Sequence, residues 1–255
     1  SDLRVVLMVA RKDLLQELRS RATTVATLFF SATTLVLMAF ALGRDQGVLS
    51  QSAPGVLWVA LVFAGVIAAA QSLQADLEEG AFDQLLTYAV PRATIYLGKL
   101  LANWLYLSVL ALLLAPTALT LYGARVTGIG AYLTLGATLL LGALGFAVIA
   151  TFYAALTSNL QAREALLPVL MFPIIVPILL AAVRATEAVV GAAAAVGAAS
   201  GTAGGAASAG VVGSAGGTMP VVDLSLAGDW VSLLAGFDLV YLVVCTALFH
   251  FLVEE

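Results

Sequence analysis

Residues 76–104 read DLEEGAFDQLLTYAVPRATIYLGKLLANW and form a charged island between two long apolar runs. The first half of the island mixes acidic side chains with large apolar ones, and Pro91-Arg92 then precedes a new apolar run. An ordered polar segment between two membrane spans is typical of an element on which a soluble partner docks. The sequence therefore predicts a membrane-embedded chain that presents a short amphipathic helix between two of its spans.

The composition excludes a water-soluble domain. The chain has 255 residues, of which 62% are hydrophobic and 10% charged, and its mean hydropathy is +1.07. A soluble domain carries about a quarter charged residues, so this chain cannot cover a surface that faces water. The single cysteine, Cys245, and the single histidine exclude an intrachain disulfide and a paired His/Cys metal site.

Six apolar runs are long enough to cross a bilayer, whose core of roughly 30 Å needs about 20 residues of helix. They predict an all-α membrane protein with six transmembrane helices at residues 22–42, 54–74, 95–122, 130–156, 165–183 and 230–253. The fifth run contains Pro168, Pro173 and Pro177, which predict a kinked helix.

The distribution of lysine and arginine predicts the orientation. With six spans, eight basic residues fall on the side of both termini and three on the other side, so both termini and the 76–94 island are expected in the cytoplasm. The whole chain then forms one permease domain, in which residues 1–21 precede spans 1–5 (22–183). Residues 184–229 are predicted as an extracytoplasmic Ala/Gly-rich loop, with a seventh span as the alternative, and residues 230–255 as span 6 and the tail.

Residues 3–18 predict an amphipathic helix at the membrane interface. The helix is interpreted either as a juxtamembrane anchor or as part of a grip on a partner. The predicted apolar face holds Val6, Leu7, Leu14, Leu15 and Leu18, and the polar face holds Arg11, Lys12, Asp13 and Glu17.

Residues able to do chemistry are few. The pair Gly98-Lys99 is followed by Leu100 inside a predicted span, so it is not a phosphate-binding Walker A motif. Lys99 is predicted to extend to the cytoplasmic interface. Asp238, about two turns into the last predicted span, is expected to pair with a polar group, to line a cavity or to make a local hydrogen bond. The sequence therefore predicts no catalytic residue and no metal site.

Several segments resemble the CcmB family, the haem exporter protein B of cytochrome c maturation. The run PGVLWVALVFAG at 54–65, which contains Trp58 and Phe63, resembles the second span of that family. The segment RKDLLQELR at 11–19 is similar to its N-terminal helix, and the loop EGAFDQLL at 79–86, followed by Pro91 and GKLLA at 98–102, is similar to the corresponding segment of the family. The prolines of 167–177 and the tail at 251–255 also resemble family members.

The resemblance implies the membrane half of an ABC transporter with an ABC-2 or type V exporter-like fold. Family members assemble as two copies with a separate ATPase, CcmA, and with CcmC and CcmD, and they serve the haem chaperone CcmE. It implies that ATP binds the partner, that haem is a possible substrate, and that no cofactor or nucleic acid binds this chain. The expected location is the inner membrane, where lipid surrounds the chain.

The interpretation predicts a two-part surface that grips the ATPase. We expect Trp58, Phe63 and Asp238 to be candidates for the substrate path. Two alternatives stay open, which are an ABC-2 permease for another substrate and a non-transporting scaffold for haem-handling proteins. The predicted ATPase-docking residues are Arg11, Asp13, Glu17, Leu77, Glu78, Glu79, Phe82, Asp83, Leu85 and Leu86.

Overall fold

The computed structural model describes the backbone of residues 2–19, 21–78, 92–157, 163–205 and 225–252, and side chains within most of these ranges. Over those residues the chain forms seven α-helices and no strand. The helices are α1 (Asp2–Arg19), α2 (Arg21–Leu42), α3 (Gln46–Glu78), α4 (Arg92–Leu121), α5 (Ile129–Thr157), α6 (Arg163–Gly205) and α7 (Ser225–Leu252).

Six of these helices are long and apolar enough to span a membrane, which confirms the predicted all-α membrane class. Because the chain reverses direction between successive spans, α1 lies at the same end of the bundle as the last residues of α3 and α5, here called the α1 end. The spans run over Thr24–Leu42, Gln46–Ala70, Thr94–Leu121, Ile129–Ala154, Val169–Gly191 and Leu226–Leu248.

The second span begins earlier than the sequence predicted. Pro54 was expected near its start, but α3 begins at Gln46 and Pro54 lies inside the helix. Asp45 provides the reason, because its Oδ1 accepts hydrogen bonds from the backbone N–H groups of Gly47 at 2.8 Å and Val48 at 3.3 Å. This N-cap satisfies two of the free donors that every helix start exposes.

The fifth span extends beyond its predicted end. Helix α6 runs from Arg163 to Gly205 without a break. Residues 184–205, which were predicted as the first part of a loop, are therefore helical. The extension is rich in alanine, which has the highest intrinsic helix propensity of all residues. Residues 206–224 of the predicted loop lie outside the described part of the chain.

Helix α5 lies at the centre of the bundle. Five consecutive residues, 146–150, are all buried. Since consecutive residues point to different sides of a helix, this run requires neighbours all around, and α5 packs against α3, α4, α6 and α7. In contrast, α2 and α7 leave large apolar side chains such as Phe40 and Leu239 exposed, as expected for helices that face lipid or another subunit.

The end of the bundle opposite α1 is tied together by Tyr122. Its hydroxyl donates a 2.8 Å hydrogen bond to the carbonyl of Leu35 in α2, and its own carbonyl accepts a 3.4 Å bond from Nε2 of Gln46 in α3. The next residue, Gly123, has a φ of 65°, and a β-carbon there would overlap the Gln46 amide. A glycine is needed at this position for both reasons.

Candidate functional site

Helix α1 is bound mainly to α4, the third span. The contact is close because Gly98 of α4 has no side chain, and a β-carbon there would lie 2.7 Å from Cβ of Val9 and 3.2 Å from the carbonyl oxygen of Val6. Val9 and Ala10 are buried in this contact. Gly98 was noted in the sequence because the pair Gly98-Lys99 is not a Walker A motif. In the structure its lack of a side chain lets the N-terminal helix lie against a membrane span.

A buried ion pair reinforces the contact between α1 and α4. Nζ of Lys99 lies 3.3 Å from Oδ2 of Asp13, and the two side chains are 14% and 8% exposed. Nζ of the more exposed Lys12 lies 3.5 Å from the other oxygen of Asp13. One prediction is corrected here: Asp13, predicted as a docking residue, is buried against α4. Lys99, predicted to extend to the cytoplasmic interface, extends toward α1.

The opposite face of α1 is exposed. Leu7, Met8 and Leu15 are 53%, 63% and 49% exposed, next to the exposed Arg11 and Lys12. Leu7 and Leu15, on the predicted apolar face, are thus not buried by the rest of the chain and are left for lipid or a partner, whereas Gly98 and Lys99 of α4 contact a different face of α1. The exposed face borders a wide groove lined by Met8, Arg11, Lys12, Leu15 and Gln16.

The second half of the predicted docking surface falls outside the described residues. Leu77 and Glu78 form the end of α3, but only their backbone is described. The side chain of Glu17 and all of Glu79, Phe82, Asp83, Leu85 and Leu86 lie outside the described part. Among the predicted docking residues, Arg11 is therefore the one whose exposed position the structure gives.

Trp58 is buried between α3, α5 and α6. Its Nε1 donates a 3.1 Å hydrogen bond to Oγ1 of Thr186, and this hydroxyl donates to the carbonyl of Ala182 at 2.8 Å. The ring lies against Gly142 of α5. The adjacent cavity has a volume of about 20 Å³ and an almost entirely apolar lining that includes Leu61, Leu107, Phe146 and Ile178.

Phe63, the second candidate for a substrate path, is 41% exposed on the outside of the bundle. Its ring makes edge contacts with Phe30 of α2 at 5.7 Å and with Phe172 of α6 at 6.2 Å between centroids. Edge-to-face geometry is a favourable arrangement of aromatic rings. Trp58 and Phe63 are thus on different sides of α3, and the structure does not bring the two candidates together.

Asp238, the third candidate, is 3% exposed in α7. It lies against Gly145 of α5 beside the side chain of Ile178. Neither carboxylate oxygen has a hydrogen-bond partner among the described residues, so the local hydrogen bond considered from the sequence is not made. The cavity at Trp58 is not lined by Asp238, although Ile178 borders both the cavity and Gly145. The three path candidates therefore do not line one common cavity.

Sequence reasoning missed the partners that fix these side chains. Thr186, Gly142, Gly145 and the Asp13–Lys99 pair join residues far apart in the chain. Gly142 and Gly145 are small residues of the kind enriched where membrane helices pack closely, but the sequence does not reveal which side chains approach them. Within the described residues no cluster of His, Cys, Asp and Glu is suited to hold a metal ion.

The described helices define a multi-pass α-helical membrane protein with an N-terminal helix fixed to a span. The chain matches the family model described as CcmB protein over residues 4–215. It belongs to the CcmB family.

Curated relatives agree with this assignment. Heme exporter protein B of Haemophilus influenzae is 29% identical over 184 residues, which cover 72% of this chain and 82% of the relative. Heme exporter protein B of Rhodobacter capsulatus is 33% identical over 60% of this chain and 69% of the relative. The protein of the same name from Escherichia coli K12 is 29% identical over 71% and 80%.

Proposed function

We propose that this chain is the membrane subunit of an ABC transporter complex for cytochrome c maturation. It acts in haem export, or in the release of a haem-loaded chaperone, and a separate CcmA-like ATPase drives it. Membership of the CcmB family and the printed name of the relatives, Heme exporter protein B, support the haem assignment. The observation that carries the mechanical part is helix α1, fixed to a span on one face and exposed on the other.

The exposed face of α1 suits a protein partner. It combines apolar side chains, Leu7, Met8 and Leu15, with the positive charges of Arg11 and Lys12 beside a groove. Apolar anchors carry most of the binding free energy of an interface, and charges at its rim set register and association rate. We infer that the ATPase contacts this face together with the segment 77–86, where Phe82 is the expected anchor.

The connection from α1 to α4 gives the ATPase a way to move a span. A partner that shifts α1 must also shift α4 or break the buried Lys99–Asp13 pair and the Val9–Gly98 contact. A hydrogen bond to a charged group contributes about 1.5–3 kcal/mol, and Lys12 would then be the remaining charge partner of Asp13. Moving the two helices as one unit avoids this cost.

Haem does not fit inside the described bundle at Trp58. The cavity there is about 20 Å³, whereas sites for drug-sized ligands have about 300–1,000 Å³. Trp58 is therefore not part of the substrate path that we propose, and we place this path on the outside of the bundle. A surface shared with a second copy of the chain, or with CcmC- and CcmD-like subunits, meets this requirement and brings haem to a CcmE-like chaperone.

The proposed location is the inner membrane with both termini in the cytoplasm. Eight of the eleven basic residues lie at the α1 end or within two turns of it, if the helices alternate in direction. An excess of lysine and arginine marks the cytoplasmic side of membrane proteins. This orientation puts α1 on the side where ATP is available.

Co-purification tests the docking surface. The full chain is co-expressed with its CcmA-like ATPase, and the ratio of the two proteins is measured by native mass spectrometry. We expect Arg11→Glu and Phe82→Asp to lower the amount of bound ATPase at least tenfold, with the chain still inserted in the membrane. Arg44→Glu is the matched control, since Arg44 is an exposed arginine at the opposite end of α2. Wild-type ratios in both docking variants would contradict the proposed surface.

Two other functions predict different results with an ATPase that cannot hydrolyse ATP. A scaffold that only holds haem-handling proteins together keeps supporting cytochrome c maturation with such a partner, whereas a transporter subunit does not. An ABC-2 permease for another substrate loses its transport but leaves the cellular content of c-type cytochromes unchanged. Spectroscopic measurement of that content with the inactive ATPase separates the haem transporter from the other two functions. The same measurement after deletion of this chain separates those two, because deletion lowers the content for a scaffold and leaves it unchanged for a permease of another substrate.

A further inference from the structure

Asp238 lies near the middle of the bilayer. It is twelve residues from Leu226 and ten from Leu248, the two ends of the α7 span. A rise of 1.5 Å per residue puts it roughly 15–18 Å from either end, in a hydrocarbon core about 30 Å thick. Ionisable residues at this depth are rare, and a functional role is the default hypothesis for them.

The surroundings of Asp238 offer no compensating charge. The side chain is 3% exposed, and both carboxylate oxygens are without a hydrogen-bond partner among the described residues. Helix α5, against which it packs at Gly145, has no charged residue along its length. The charged side chains of the described part of α6, Arg184 and Glu187, form an exposed pair with each other at 3.1 Å.

The titratable groups on the surrounding helices are engaged elsewhere. Tyr241 of α7 donates a hydrogen bond to the carbonyl of Ile174 at 3.2 Å. Cys245 of α7 is hydrogen-bonded to Tyr96 of α4, whose hydroxyl donates to the carbonyl of Val148 at 3.0 Å. The remaining groups are Tyr153 of α5, which interacts with Tyr241 and Cys245, and Asp229, which is exposed on α7 nine residues before Asp238.

An ionised carboxylate is not compatible with this packing. Burying an unpaired charge costs far more free energy than burying a neutral polar group. The neutral acid also leaves its O–H without an acceptor, so an aspartic acid is a poor choice for packing alone at this position. An aspartate at position 238 is explained if the helices have a second arrangement in which water reaches its carboxyl group.

We propose that Asp238 is an intramembrane proton-binding site coupled to the packing of α7 against α5. While α7 lies against Gly145, one carboxylate oxygen holds a proton and the side chain is neutral. When α7 separates from α5 and water reaches the group, the O–H bond breaks, the proton passes to water and the side chain becomes an anion. Return of α7 requires uptake of one proton from water. Raising the pH therefore favours the separated arrangement, because the protonated group is the one that packs.

Infrared spectroscopy of the purified full chain in lipid nanodiscs tests the bound proton directly. At neutral pH exposed carboxyl groups are ionised, since their ordinary pKa is about 4. The carbonyl stretching band of a protonated carboxyl group is therefore expected from the buried acid and not from the exposed ones. We expect this band in the wild type and in Asp229→Asn, the matched control on the same helix, and its loss in Asp238→Asn. A band that survives in Asp238→Asn, or no band in the wild type, overturns the proposal.

The coupling to helix packing needs a second measurement. Spin labels at Leu133→Cys on α5 and Leu226→Cys on α7, both exposed positions, report the distance between these helices. We expect the distance to increase over the same pH range in which the carboxyl band disappears, and to stay constant in Asp238→Asn. Loss of the band at constant distance overturns the coupling.

A purely structural role makes a different prediction. Asp238→Asn is nearly isosteric, so the proposal predicts an unchanged or higher Tm together with loss of cellular c-type cytochromes, whereas a structural aspartate predicts a lower Tm. The cellular result rests on the proposed function. The infrared and distance measurements do not, so failure of the proton site and failure of the haem assignment are distinguishable.

Discussion

Gly142→Ala tests the packing of α5 at the centre of the bundle. A β-carbon at Gly142 would overlap the six-membered ring of Trp58, with Cζ3 at 2.6 Å and Cζ2 at 3.1 Å. Trp58 is 3% exposed and is held by its 3.1 Å hydrogen bond to Thr186. The ring can move away only by breaking that bond or by displacing its neighbours.

The expected effect is a loss of stability of about 2 kcal/mol. Inserting a methyl group into a packed core costs about 1–3 kcal/mol, and a broken buried hydrogen bond adds about 1 kcal/mol. The small cavity beside Gly142 absorbs part of the strain, and the higher helix propensity of alanine offsets about 1 kcal/mol of the cost. A loss of about 2 kcal/mol lowers Tm by roughly 4–8 °C in a chain of this size.

The assay heats the purified full chain in detergent and follows the fraction that still elutes as a single peak in size-exclusion chromatography. Gly136→Ala is the matched control, because it lies on the same helix and a β-carbon there meets nothing within 4 Å. Alanine favours helix over glycine by about 1 kcal/mol, so this control keeps or raises Tm. Equal Tm values for Gly142→Ala and Gly136→Ala would refute the contact with Trp58.

Two further predictions concern the ends of the bundle. Lys99→Gln removes the closest charge partner of Asp13 and leaves Lys12 as the remaining one, so we expect a loss of about 1.5–3 kcal/mol and faster tryptic cleavage within α1. The charge exchange Asp13→Lys with Lys99→Asp should partly reverse both effects. Tyr122→Phe removes the hydrogen bond to Leu35, so we expect a loss of about 1 kcal/mol and a Tm lower by roughly 2–4 °C. The control Tyr132→Phe, at an exposed position, leaves Tm unchanged.

The number and approximate position of the spans were predictable from the sequence, because both follow from the length of apolar runs. The residues at which the helices begin and end were less predictable, for two local reasons. Asp45 caps a helix that begins before Pro54, and alanines continue α6 to Gly205 where a low-complexity loop was expected. In both cases the backbone follows local hydrogen bonding and helix propensity, whereas the prediction followed hydropathy.

The buried face of α1 was not predictable from its own sequence. Its leucines suggested one apolar stripe, but burial follows Val9 and Asp13 because α4 offers a glycine and a lysine at the contact. The environment of Asp238 was likewise set by Gly145, 93 positions earlier in the chain. Contacts between distant residues decide these features, and the pattern of a single helix does not contain them.

The length of α6 has a consequence for whatever approaches the membrane from the side opposite α1. The helix has 43 residues, from Arg163 to Gly205, and is therefore roughly 65 Å long at 1.5 Å per residue. A bilayer with its headgroup regions is only about 40–45 Å thick. Because the helix begins with the charged residues Arg163 and Glu164 at the α1 end, its other end extends roughly 20 Å beyond the opposite membrane surface, and a protein that binds there is held at a fixed distance from the bilayer.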